Sequence, residues 1–178
     1  KPVHKISVVQ RTRIGGHVKT LSDDSLLQTK SNLVARLALF AGGFVAEELY
    51  CKGDVSTGAS SDLSHMTELA ERMITQWAMG DHEVLGFRTF GKSEQLRFLG
   101  GVGTTTADYS QRTAELVDDA VRQLTNEAKT MARQILIEER VKLEYGVERL
   151  IEEETIAGDP LREILENPVP ENWRKQNE

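Results

Sequence analysis

Cysteine and proline are scarce in this sequence, with one cysteine and four prolines among 178 residues. The single cysteine, Cys51, excludes an internal disulfide and a cluster of cysteine ligands around a metal. No stretch rich in proline, glycine and serine divides the chain, which favours one domain. We therefore expect a domain over residues 1–166 and a flexible polar tail over residues 167–178.

Long apolar runs and an excess of positive charge are also absent. The longest apolar stretch, Leu37–Ala46, covers about ten residues, whereas a helix needs roughly 20 to cross a bilayer. The formal net charge is −6 and basic residues are scattered among acidic ones, so no electrostatic surface for nucleic acid or anionic lipid is expected. The sequence predicts a soluble chain. Because it begins with Lys1 rather than methionine, we also expect that a preceding part has been removed.

Histidines are few, and no His-x-x-x-His pair occurs among His4, His17, His65 and His82. Asp62 and His65 are three residues apart and so share a helix face, but two ligands are too few for a stable zinc site. Asp62 itself has two possible roles. It either complements the positive end of a helix or binds a metal.

Two short strands are predicted near the N-terminus. Residues Val3–Gln10 alternate and are rich in β-branched side chains, and a short polar run follows at His17–Leu21 after two glycines. A brief polar strand of this kind suits the edge of a sheet, where backbone groups remain free to pair with an extended peptide. The candidate peptide-binding edge consists of Gly16, His17, Val18, Lys19 and Thr20.

The rest of the sequence has the three- to four-residue apolar period of helices. This period runs over Leu33–Leu49, Leu63–Trp77 and Leu116–Leu150. Gly42 and Gly43 inside the first helix predict either close packing against another helix, which we favour, or a kink, because glycine otherwise weakens a helix.

Two other segments complete the prediction. Residues Gly80–Thr105 indicate a long loop. Asp159 and Pro160 are predicted as the N-cap and the first-turn proline of a short helix that extends through Leu165. The expected fold is mainly α, with a small two-stranded β element near the N-terminus.

Several motifs together resemble the peptidase domain of the FtsH-type AAA+ zinc metalloproteases. The stretch Thr57-Gly58-Ala59-Ser60-Ser61-Asp62 is similar to the segment that carries the third zinc ligand in that family. The other matching stretches, in family order, are Val3–Ile6, Gly42-Gly43 with Ala46–Leu49, Thr67–Ala70, Trp77–Met79, Phe90-Gly91, Phe98–Gly100, Val117–Val121 and Leu150–Gly158.

The resemblance implies a helical metallopeptidase fold in which Asp62 binds zinc and the edge Gly16–Thr20 binds an unfolded polypeptide substrate. It further implies an AAA+ ATPase domain that uses ATP and magnesium, a homo-hexamer, and N-terminal helices that attach the intact protein to a membrane. The fragment itself would then be a soluble domain on the cytoplasmic face.

The sequence departs from the family pattern at three points. The His-Glu-x-x-His motif, which supplies two zinc ligands and the general base, is absent. Phe44 stands where the family has an arginine, which puts a local ion pair in doubt. His65 occupies a position at which the family has no ligand.

The predicted function is therefore a part of an ATP-dependent zinc metalloendopeptidase that degrades unfolded or membrane proteins. No catalytic residue is expected in this fragment, and on its own it is expected to be inactive, with weak or no zinc binding. The alternative is a non-catalytic, peptidase-like interaction or assembly subunit.

Overall fold

A computed structural model describes residues 3–9, 17–20, 27–90 and 109–173 of the chain. Its contacts divide the chain into two compact units, one of residues 28–134 and one of residues 1–27 together with 135–178. The fold is mainly helical with a small antiparallel sheet that begins near the N-terminus, so the predicted fold class is confirmed. A single domain over 1–166 with a separate tail stays a prediction.

The unit of residues 28–134 begins with helix α1, Lys30–Tyr50. Thr29 caps the helix because its hydroxyl accepts the Asn32 N–H at 3.3 Å. The buried face of α1 carries Leu33, Leu37, Ala38, Ala41 and Val45, at the predicted spacing. At the C-terminal end, Gly53 has φ +85° and donates its N–H to the Glu48 carbonyl at 3.1 Å, which closes the last turn.

A 3-10 turn, Thr57–Ala59, leads into helix α2, Ser60–Thr75. One face of α2 is buried, as predicted, and the helix packs against α1; the buried face carries Met66, Ala70, Met73 and Ile74. Trp77 was expected to extend this apolar face but is 39% exposed. The reason is that α2 ends at Thr75, so Trp77 is no longer part of the helix. The centre of its ring lies 4.9 Å from the Arg72 guanidinium carbon.

Two more helices belong to this part of the chain. Helix α3, His82–Leu85, is a single turn inside the predicted loop, and residues 91–105 of that loop lie outside the described residues. Helix α4, Gln111–Glu138, buries Val117, Leu124, Ala128 and Ala132. Met131 belongs to the predicted apolar stripe of α4 but is 40% exposed, so the buried face is narrower than the sequence period indicates.

The second unit contains the sheet. Strand β1, Val3–Ser7, lies between β2, His17–Thr20, and β3, Thr155–Ala157, and both pairings are antiparallel. Strand β3 was not predicted, because three residues are too few to establish an alternating pattern. The Ser7 side chain is buried, and its hydroxyl lies 2.8 Å from the Thr155 hydroxyl, which joins β1 to β3.

Helices α5, Arg140–Glu153, and α6, Asp159–Glu166, complete this unit. Ile156 of β3 and Leu161 and Ile164 of α6 form its core, against which Ile6 and Leu150 pack. Gly158, rather than the predicted Asp159, occupies the position before α6, a shift of one residue that is common at helix ends. No helix among the described residues combines the length and the apolar composition that a membrane span requires.

Beyond α6, the described residues of the predicted tail contact α5. Val169 is buried. The indole N–H of Trp173 donates to Glu148, and its ring meets Tyr145 edge-on at 5.4 Å between centroids.

The expectation of close packing at Gly42 and Gly43 is wrong for the part of the chain that the structure describes. A Cβ atom placed on either residue meets no atom within 4 Å. Nothing in the described structure explains why glycine stands at these two positions.

We expect Gly43→Ala to stabilise the 178-residue chain by about 1 kcal/mol, because alanine fits the open, exposed site and favours the helix. Gly53→Ala is the matched control. Its positive φ disfavours any side chain, so the same change there should destabilise by about 1–2 kcal/mol. Urea unfolding followed by circular dichroism measures both. A loss of stability in Gly43→Ala would contradict the geometry of α1.

Candidate functional site

Asp62 lies in the first turn of α2, as predicted. Its side chain is exposed, and no residue in the described ranges forms an ion pair or side-chain hydrogen bond with it. The carboxylate is therefore accessible to a cation. Whether it binds a metal stays a prediction.

The segment that precedes Asp62 is fixed by a glutamate of α1. Glu47 accepts hydrogen bonds from both polar groups of Ser56, from the backbone N–H to Oε2 at 2.6 Å and from the hydroxyl to Oε1 at 2.8 Å. These bonds, the backbone one first, lower the pKa of the Glu47 carboxyl below its ordinary value. Glu47 therefore remains ionised and holds the loop that joins α1 to α2.

Ser56 transmits this contact to the start of α2. Its hydroxyl oxygen accepts the Gly58 N–H at 3.1 Å and so caps the turn Thr57–Ala59. Ala59, the last residue of the turn, is buried. The turn that delivers Asp62 is thus fixed on one side by hydrogen bonds and on the other by packing.

The next glutamate of α1 faces a different helix. Glu48 forms ion pairs with Lys129 at 2.8 Å and with Arg133 at 3.1 Å, both on α4. The hydrogen bond from Lys129 is the main cause that lowers the pKa of Glu48. Lys129 also lies 5.2 Å from the centre of the Phe44 ring. Phe44 therefore contacts a cation through its ring face.

His65 is placed as a surface side chain that stacks on α1. Its ring lies 5.8 Å from that of Phe40, with an angle of 22° between the planes, and the Arg36 guanidinium carbon lies 5.6 Å from the Phe40 centroid. This stacking accounts for His65 without a metal. The described residues contain no group of three histidine, cysteine, aspartate or glutamate side chains able to hold a metal ion.

The remaining histidines lie in elements other than α2. His4 lies in β1 with an exposed side chain, and His82 donates through Nε2 to the Ala78 carbonyl at 2.6 Å. The strand that contains His17 is described, whereas the His17 side chain is not.

Strand β2 lies at one edge of the sheet, as predicted. It pairs with β1 on one side, and in the part of the chain that the structure describes no strand pairs with its other side. Val18 is 59% exposed on this strand. Gly16, the first residue of the predicted edge, lies outside the described residues.

Sequence reasoning missed the roles of Glu47 and Ser56. The Ala46–Leu49 stretch was recognised as a family signature, but a pattern of letters does not show which of two adjacent glutamates faces the loop and which faces α4. The helical spacing is compatible with either glutamate facing the loop. Only the direction of the two side chains on α1 separates their roles.

Comparison with known proteins gives consistent results. The model of the family described as "Peptidase family M41" matches residues 1–164. The chain is 39% identical over 170 residues to the ATP-dependent zinc metalloprotease FtsH 1 of Thermomicrobium roseum, and those residues are 95% of this chain and 26% of the relative. The ATP-dependent zinc metalloprotease FtsH 1 of Sphaerobacter thermophilus has the same identity and the same coverage.

A third relative, the ATP-dependent zinc metalloprotease FtsH of Slackia heliotrinireducens, is 38% identical over 98% of this chain and 22% of its own length. The chain thus spans about a quarter of the length of these relatives. Each of the three is named as a protease, and none as an assembly subunit.

Acidification should weaken the contacts of Glu47 and Glu48. Because their pKa values are lower in the folded chain, their contribution to stability is complete above the unfolded-state pKa and is lost as pH falls through the folded value. We expect the melting temperature to fall less between pH 5 and about pH 3 in the double variant Glu47→Gln/Glu48→Gln than in the wild type.

Glu115→Gln is the control, since Glu115 is exposed on α4 and has no partner in the described ranges. Its melting temperature should follow that of the wild type across this range. An equally steep fall in the double variant would show that these two carboxylates do not stabilise the fold.

Proposed function

The chain belongs to peptidase family M41, and on that premise we propose that it forms part of an ATP-dependent zinc metalloendopeptidase. Its relatives are named for this activity, but the chain covers only about a quarter of their length. The ATPase domain with its ATP and magnesium, a hexamer and a membrane attachment on the cytoplasmic face would all belong to the intact protein.

The observation that carries the proposal is the state of Asp62. It is an exposed carboxylate at the start of α2, it has no ion-pair partner in the described ranges, and it lies in the segment that resembles the family's third zinc ligand. An aspartate oxygen is an established zinc ligand. Asp62 therefore fits the role of one ligand.

We propose that Asp62 is the one zinc ligand that this sequence supplies. A catalytic zinc has three protein ligands and one open position, and the described residues contain no group of three. We assign the other two ligands and the general base to residues outside the 178-residue sequence. When bound, zinc supplies a Lewis acid and a water of lowered pKa.

The substrate edge is proposed separately. An extended, unfolded polypeptide would add to the free side of β2 and form main-chain hydrogen bonds with residues 16–20. The edge position of β2 supports this proposal. Such bonds are independent of side chains, which suits an enzyme that acts on unfolded proteins of many sequences.

We expect Asp62→Asn to abolish zinc binding in the intact protein, because an amide replaces the anionic ligand. Titration with a fluorescent zinc chelator measures the affinity, and the loss should exceed the roughly 10–100-fold effect of an outer-shell change. Glu68→Gln, which neutralises another exposed carboxylate of α2, is the control and should bind zinc as the wild type does.

The 178-residue chain provides a second arm of this experiment. Incubated with zinc and casein, it should show no hydrolysis that a chelator inhibits, since Asp62 alone cannot hold a working zinc ion. Cleavage by this chain at the rate of the intact protein would show that the active site lies elsewhere.

Two neighbouring prolines test the substrate edge. Along an edge strand, backbone groups point alternately toward the sheet and away from it, so only one of Val18 and Lys19 directs its N–H toward β1. We expect one of Val18→Pro and Lys19→Pro to destabilise the fold. The other should fold normally in the intact protein and raise the KM for casein, because proline removes an N–H that bonds substrate. Wild-type KM in the well-folded variant would contradict the proposed edge.

A further inference from the structure

We propose that Glu47 and Ser56 are positioning residues for Asp62, and that they set the direction in which the Asp62 carboxylate is presented. The inference rests on the proposed role of Asp62 as a metal ligand. It concerns residues that do not themselves touch the metal.

The Glu47 carboxylate is fully engaged by Ser56. One oxygen accepts the backbone N–H at 2.6 Å and the other accepts the hydroxyl at 2.8 Å. Two bonds from one residue to one carboxylate fix both the position and the orientation of Ser56 relative to α1. Glu47 is therefore directed at the loop, and neither of its oxygens is left without a donor.

The segment from Ser56 to Asp62 is short, and hydrogen bonds constrain its backbone up to the start of α2. The Ser56 hydroxyl accepts the Gly58 N–H at 3.1 Å, and the Ser60 N–H then bonds to the Thr57 carbonyl. Ser60 is the first residue of α2, and Asp62 stands two residues further on. A rotation at Ser56 would thus change the direction of the first turn of α2, and with it that of the Asp62 side chain.

Gly58 provides a second, independent observation. A Cβ atom at this position would lie 3.1 Å from the Ser56 hydroxyl oxygen and 3.6 Å from Glu47 Oε1. The turn therefore approaches the Glu47–Ser56 contact so closely that a side chain at residue 58 would press on it. The backbone of the turn and this contact form one packed unit.

Glu48 shows that the arrangement is specific to one of two adjacent glutamates. Its carboxylate bonds to Lys129 and Arg133 of α4, and in the described structure it forms no hydrogen bond with the loop. It is thus a control of the same residue type on the same helix, whose carboxylate also accepts two hydrogen bonds, but from α4 rather than from the loop that precedes Asp62.

The test measures zinc affinity in the intact protein for Glu47→Ala, Ser56→Ala and Ser56→Thr, with Glu48→Ala as the control. Loss of an outer-shell contact weakens metal binding by about 10–100-fold, so we expect Glu47→Ala and Ser56→Ala to lose at least about 10-fold. Ser56→Thr retains the hydroxyl and should restore wild-type affinity. Glu48→Ala should bind zinc within about twofold of the wild type, even where its melting temperature falls as far as that of Glu47→Ala.

Amide hydrogen exchange in the 178-residue chain gives a readout that does not depend on a metal. Exchange at Gly58 should accelerate in Glu47→Ala and Ser56→Ala, and should remain at the wild-type rate in Glu48→Ala. Wild-type exchange at Gly58 in Glu47→Ala would overturn the inference, since the turn would then be fixed by other contacts.

Asp62→Asn separates this inference from the proposed function. If Asp62→Asn retains wild-type zinc affinity, the proposed function fails and the positioning role fails with it. If Asp62→Asn loses zinc while Glu47→Ala and Glu48→Ala bind it equally well, Asp62 remains a ligand and only the positioning role of Glu47 is overturned.

Discussion

The bond pair between the Glu47 carboxylate and Ser56 is the constraint on which the candidate site depends. It joins the end of α1 to the loop before α2, and it uses both oxygens of one ionised group. This contact and the burial of Ala59 fix the position of the turn Thr57–Ala59. The accessible carboxylate of Asp62 follows from that position, because α2 begins where the turn ends.

Two adjacent glutamates of α1 stabilise different contacts, one with the loop before α2 and one with helix α4. Glu47 faces the loop, whereas Glu48 faces the cations of α4. Phe44 belongs to the α4 side of this division, because its ring lies 5.2 Å from Lys129, the cation that pairs with Glu48.

Much of the fold was predictable from the sequence, and the reasons for success and failure differ between elements. The buried faces of α1 and α2 follow an apolar period that the sequence repeats over several turns. The burial of Leu33 and Met66 could therefore be predicted from the sequence alone. Strand β3 was missed because three residues cannot display a period. Trp77 is exposed because α2 ends before it, and Met131 is exposed although it continues the apolar pattern of α4.

Only part of the candidate site could be predicted. The position of Asp62 in the first turn of α2 follows from where the helix starts, whereas its role as a ligand rests on the resemblance of its segment and stays a prediction. The roles of Glu47 and Ser56 depend on which way a side chain leaves α1 and on a loop that brings distant residues together, and neither property is periodic.

The most direct test of this account is a crystal structure of the zinc-loaded intact protein, with the metal identified by anomalous scattering at the zinc edge. We expect an Asp62 oxygen at about 2.0–2.2 Å from the zinc, with both Glu47 oxygens still bonded to Ser56. A zinc ion coordinated without Asp62, or coordinated by Glu47 itself, would contradict it.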